Sequence, residues 1–103
     1  MKTEDFIASI SNTFEECLGI VAKKNADYAD DGDPFKNFES SLLVGVRVNR
    51  AILVRIMDKI TRISNLLDRD AVVMDEKISD TISDAINYLA ILRAYLENKK
   101  TRD

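Results

Sequence analysis

From Val73 to Lys100 the chain reads VMDEKISDTISDAINYLAILRAYLENKK, a stretch whose apolar residues return with the period of an α-helix. At ~100° per residue, Ile78, Ile82, Ala85, Ile86, Leu89, Leu92 and Leu96 fall on one stripe. Glu76, Asp80, Asp84 and Asn87 gather within roughly 80° on nearly the opposite side. The rest of the chain must therefore cover a long apolar stripe. The carboxylates form an acidic ladder, and like charges at i, i+4 cost an isolated helix a few tenths of a kcal/mol. A divalent cation would offset that repulsion, and so would water.

Two further helices are predicted upstream. The first starts after Thr3, whose hydroxyl suits free amides, with Glu4 and Asp5 well placed against the helix dipole. Phe6, Ile10, Phe14, Cys17, Leu18 and Val21 form its expected buried stripe, with Gly19 opposite. Lys24 and Tyr28 continue the line of that stripe at i, i+4 spacing. A lysine aimed at a seam takes a partner, here Asp27, or snorkels its ammonium to water. Residues 29–38, ADDGDPFKNF, break the helix with strong turn formers. Phe35 and Phe38 are expected to pin this loop to the core and to present Lys36 and Asn37 between them. Its aspartates lack the ligand spacing and closing glutamate of a calcium loop.

Glu39 to Val44 predicts a short helical turn ending near Gly45. Asn49 is the expected cap of a second long helix over residues 50–69. Ile52, Leu53, Ile56, Ile60, Ile63 and Leu67 form its core stripe, and Arg55, Asp58, Arg62 and Asn65 its polar side. Asp58 and Arg62 stand at ion-pair spacing. The short connection Arg69–Ala71 favours an antiparallel neighbour. The pattern predicts one all-α domain over residues 1–103, with three long helices plus one short helix. Three helices have limited capacity to bury three stripes, so the expected assembly is an oligomeric helical bundle, a dimer or larger.

Composition narrows the partners. A formal charge of −3 argues against duplex nucleic acid. No apolar run approaches the ~20 residues of a membrane span. Phe6, Ile7 and Ile10 alternate with acids and polar residues, unlike a secretory leader. The one cysteine, Cys17, suits a reducing cytoplasm and a buried role. With no histidine in the chain, a metal would be held by oxygen ligands, which favours magnesium or manganese.

KNADYA at 24–29, PFKNF at 34–38, DKITR at 58–62 and DEKISDTISDAINY at 75–88 follow one another in this order. Together they resemble the all-α nucleotide-modification-associated domain type 1 family over about residues 14–95. That family is similar in turn to the MazG-like nucleotide pyrophosphatases, whose helices cup magnesium with carboxylates. The resemblance implies a MazG-like bundle in a bacterial cell or phage-infected host. It also implies a magnesium-dependent pyrophosphatase acting on nucleoside triphosphates or modified nucleotides. Glu76 and Asp80 would serve as catalytic metal ligands, with Asp84 or Asp58 completing the shell. Lys24, Lys59 and Arg62 would neutralise phosphates. Tyr28, Asn37 and Asn87 would contact base or sugar, with Asp27 beside them. Departures exist: no third glutamate follows Glu15 and Glu16 at the family offset, and the last helix spaces its acids by four rather than three. A non-catalytic module that sequesters a nucleotide or cyclic nucleotide is the alternative. A helical interaction protein is the third.

Overall fold

The computed structural model describes residues 1–28, 33–69 and 76–98, leaving aside the side chains of residues 27, 28, 76 and 77. These residues fold into α1 (Thr3–Tyr28), α2 (Lys36–Glu39), a 3-10 turn (Ser40–Val44), α3 (Val48–Leu67) and α4 (Glu76–Glu97). No strand occurs among the described residues. No described helix is long and apolar enough to cross a membrane.

α3 and α4 form the centre. Phe35, Val48, Ile52, Ile56 and Tyr95 make the buried cluster, with Phe38, Leu53, Tyr88, Ile91 and Leu92 packed against it. Tyr95, late in α4, thus meets Val48 and Ile52, early in α3, while Lys59 meets Asp84 further along. The two helices therefore run antiparallel, as expected; residues 70 and 71 of the expected connection lie outside the described residues.

Asp33 builds the entry to α2. Its carboxylate accepts the Phe35 N–H at 3.0 Å and its carbonyl accepts the Lys36 N–H at 3.3 Å. That turn drives Phe35 into the core, edge-on to Tyr95 with ring centroids 5.1 Å apart. Phe38 meets Tyr88 in the same manner at 6.3 Å. The expectation that two aromatics pin this segment is met. The stretch between them is helical, however, because the Asp33 turn starts a helix at Lys36. The 3-10 turn ends at Gly45 in the left-handed conformation, φ +74°. Ser41 seals it, its hydroxyl donating to the Val46 carbonyl at 2.8 Å.

Several expectations need correction. α3 begins at Val48 behind an extended Arg47, so Asn49 sits inside the first turn instead of capping it. Its Oδ1 is buried with no hydrogen-bond partner. The α1 stripe is buried only where α4 stands beside it. Cys17 is 3% exposed and its thiol donates weakly to the Ser83 carbonyl at 3.8 Å. Phe6, Ile10, Phe14 and Leu18 on the same helix are exposed, Leu18 at 69%. Ile60 and Leu67 of α3, and Ile82, Leu89 and Leu96 of α4, were expected in the core and are exposed too. One chain offers too few neighbours to cover every stripe.

Candidate functional site

A cavity of about 580 Å³ opens between the end of α1, the segment from Asp33 through α2, and the pocket-facing sides of α3 and α4. Its size falls within the roughly 300–1,000 Å³ range of small-molecule sites. Its wall mixes three kinds of chemistry. Lys24, Lys36 and Arg55 bring positive charge, Phe35, Phe38 and Tyr88 bring rings, and Asn25, Asn37 and Asn87 bring amides. Among the described residues, Asp33 and Asp84 are its acids.

Asn87 stands out among these. It is 8% exposed, and its amide makes no hydrogen bond among the described residues. Its position on the cavity wall leaves the amide to be answered from the cavity. A ligand able to pair with this amide would gain a hydrogen bond worth about 0.5–1.5 kcal/mol net. Neither Lys24 nor Arg55 has an ion-pair partner among the described residues.

Of the residues picked out from sequence, Lys24, Asn37, Asp84 and Asn87 converge on this cavity. Lys59 does not line it but reaches the Asp84 carboxylate at 3.2 Å and joins the site indirectly. Asp58, Arg62 and Asp80 are exposed on α3 and α4 outside the cavity lining. Asp27 and Tyr28 occupy the last turn of α1 and Glu76 opens α4, but their side chains lie outside the described residues.

Sequence reasoning gave no site role to Arg55, Lys36, Asn25 or Tyr88, though it expected Lys36 to be presented between the two aromatics. Arg55 stands one turn before Lys59 and shares its flank of α3. The other three sit inside the KNADYA, PFKNF and INY segments. Adjacency within those segments was the available signal.

The acidic ladder is only partly gathered. Asp80 and Asp84 stand one turn apart on α4, and Asp84 is already paired with Lys59. Among the described residues no three Asp, Glu or Cys side chains come together as a group able to hold a metal ion. The described carboxylates thus offer a metal two ligands at most. What the cavity supplies directly is positive charge, ring faces and amide groups around one space. Comparison with protein-family models, curated proteins and solved structures finds no match for the chain.

Proposed function

We propose that this chain binds a nucleotide in the cavity between α1, α2, α3 and α4. The observation that carries the proposal is Asn87, a residue 8% exposed whose amide makes no hydrogen bond among the described residues, set in a wall with Lys24, Arg55 and the Phe38–Tyr88 ring pair. A nucleotide is the common ligand class that is at once anionic, flat and rich in amide-complementary edges. Lys24 and Arg55 would take the phosphate charge. Phe38 or Tyr88 would offer a ring to the base. Asn87, and Asn37 at the mouth, would read base or sugar polar groups. The ordered motifs that resemble nucleotide-modification-associated domains support the same ligand class independently.

Magnesium-dependent hydrolysis between the α- and β-phosphates is a second proposal, and Asp84 on the cavity wall favours it. Magnesium would there neutralise charge developing on the phosphates. Asp80 and Asp84, with Glu76, are the candidate ligands in this chain, Asp58 lying on the neighbouring helix.

Thermal-shift titration with nucleoside triphosphates and cyclic dinucleotides, each with magnesium and with EDTA, tests both. Binding to the folded state raises the melting temperature by mass action. A shift that persists in EDTA, without pyrophosphate release, supports a sequestering module. A shift that needs magnesium, together with pyrophosphate release lost in Asp80→Ala, supports the hydrolase. No shift with any nucleotide in either condition removes both.

A further inference from the structure

The 3-10 turn between α2 and α3 holds its apolar side chains out to water. Leu43 is 88% exposed and Val44 77%, and Leu42 and Val46 are exposed beside them. Four neighbouring aliphatics left in water mark a surface that meets a partner or a membrane.

The backbone of this tip is closed on itself. The Gly45 N–H donates to the Leu42 carbonyl at 3.1 Å, and the Val46 N–H to the Ser41 carbonyl at 3.0 Å. The Ser41 hydroxyl returns a bond to the Val46 carbonyl at 2.8 Å. Ser41 and Val46 are thus tied in both directions across the base of the turn, and left-handed Gly45 reverses the chain between them. Backbone groups paired within their own segment leave water at little cost, which is the condition for entering a lipid layer. A segment that docks on another chain through its backbone would instead keep those groups free.

Charge is arranged around the tip in the same sense. Residues 40–57 hold Arg47, Arg50 and Arg55 and no acid, in a chain whose formal charge is −3. Arg55 belongs to the cavity wall, while Arg47 and Arg50 are exposed where α3 leaves the turn. Tyr95 packs near Val48, so α4 finishes at this same end of the bundle. The sequence that follows it, KKTRD at 99–103, adds three cations to one acid. Of the nearest acids along the chain, Glu97 already accepts from Arg93 at 3.1 Å, and Glu39 is engaged within the chain. The opposite excess lies in α1, where residues 3–22 hold four acids and no lysine or arginine. α1 passes Ser83 at Cys17 and reaches the cavity at Ile20 and Lys24. Its acidic first turns therefore lie toward the other end of the bundle.

We propose that the Leu42–Val46 turn docks on an anionic lipid surface. Leu42, Leu43 and Val44 enter the interface, and Arg47 and Arg50 meet the headgroup phosphates. Shape and charge together select lipid. The tip is convex, so a protein partner would have to supply a matching hole, whereas a bilayer admits any protruding aliphatic. Neither signal holds the chain alone: a small apolar insertion is readily reversed, and exposed charges are screened by salt. Membrane attachment takes the two together. This contact is separate from the nucleotide reading and does not depend on it.

Flotation of the full chain with lipid vesicles tests the proposal. The chain is expected to float with phosphatidylglycerol-containing vesicles and to stay behind with phosphatidylcholine alone, and high salt should release it. Leu43→Asp alters a side chain that is almost wholly in water, so helical circular dichroism should be retained. Its binding should weaken roughly tenfold or more. Reversing both arginines, Arg47→Glu with Arg50→Glu, should weaken binding by a similar roughly tenfold factor through charge. A chain that stays in solution with both vesicles overturns the proposal and hands the tip to a protein partner. Flotation unchanged in folded Leu43→Asp overturns it as well, because charge alone would then hold the chain. Equal binding to both lipids removes the role of the arginines and overturns it too. No nucleotide enters these readouts, so they stand or fall separately from the cavity.

Discussion

Lys59 of α3 and Asp84 of α4 meet at 3.2 Å beside the cavity, each side chain about 30% exposed at 29% and 31%. This pair joins the two central helices at the point where the ladder of acids approaches the site. It also neutralises the one carboxylate of α4 that lines the cavity among the described residues.

The pair is expected to contribute little to stability. Two partly hydrated charges couple by about 0.2–1 kcal/mol. A double-mutant cycle of Lys59→Met, Asp84→Asn and the double variant, measured by urea unfolding, should return a coupling within that range. The coupling should fall further in high salt, because exposed pairs are screened. A coupling several times larger would mean that the pair is shielded from water by a neighbour not seen in one chain.

Asn87→Leu separates stability from function. The substitution removes the amide and keeps the branched shape of the side chain, and the added bulk can extend into the cavity, so the melting temperature should change little. Nucleotide affinity should drop at least tenfold in isothermal titration. A leucine variant that binds normally would show that the amide reads nothing.

Phe35→Ala should be among the more damaging single changes. It leaves a hole against Tyr95, Val48 and Ile52 and releases α2 from the core. Truncations of this kind cost about 3–5 kcal/mol, a large share of the ~5–15 kcal/mol that holds a small domain folded. Urea unfolding should show a midpoint shift of that size.

Glycine substitutions should have opposite signs at two positions. Gly45 adopts φ +74°, where a side chain is strained, so Gly45→Ala should destabilise by about 1 kcal/mol. Gly19 lies within α1 with nothing within 4 Å of an added methyl. Gly19→Ala should stabilise by up to ~1 kcal/mol through helix propensity. Thermal unfolding of the two variants reads both signs.

The helices were legible because their apolar period is strong and their breaks carry Gly45, Pro34 and clustered aspartates. The start of α3 was misplaced because Asn49 has the chemistry of a cap, while Arg47 supplies the extended residue without a capping side chain. Burial was over-read for Phe14, Ile60 and Leu89. Periodicity says which residues share a face, not how many neighbours exist to cover it. At the site, Lys24 was legible as a polar residue that continues an apolar stripe, and Asn87 as the end of the polar ladder of α4 within the INY motif. Arg55 was missed because, on its own helix, it looks like an ordinary surface cation. Only the approach of α1 and α2 makes it part of a wall.

The cavity takes its sides from Ile20 near the start of the chain and from Ala94 near the end. During synthesis, a ribosome-bound chain that still lacks α4 has no wall to hold Asn87 or Tyr88. The site therefore appears all at once, when the last helix docks, and not by gradual improvement of a partial pocket. Ligand capture by this protein would then mark the completion of folding as well as the presence of ligand. A ligand present at that moment would favour the docked α4 over its undocked state and draw newly made chains toward the finished form.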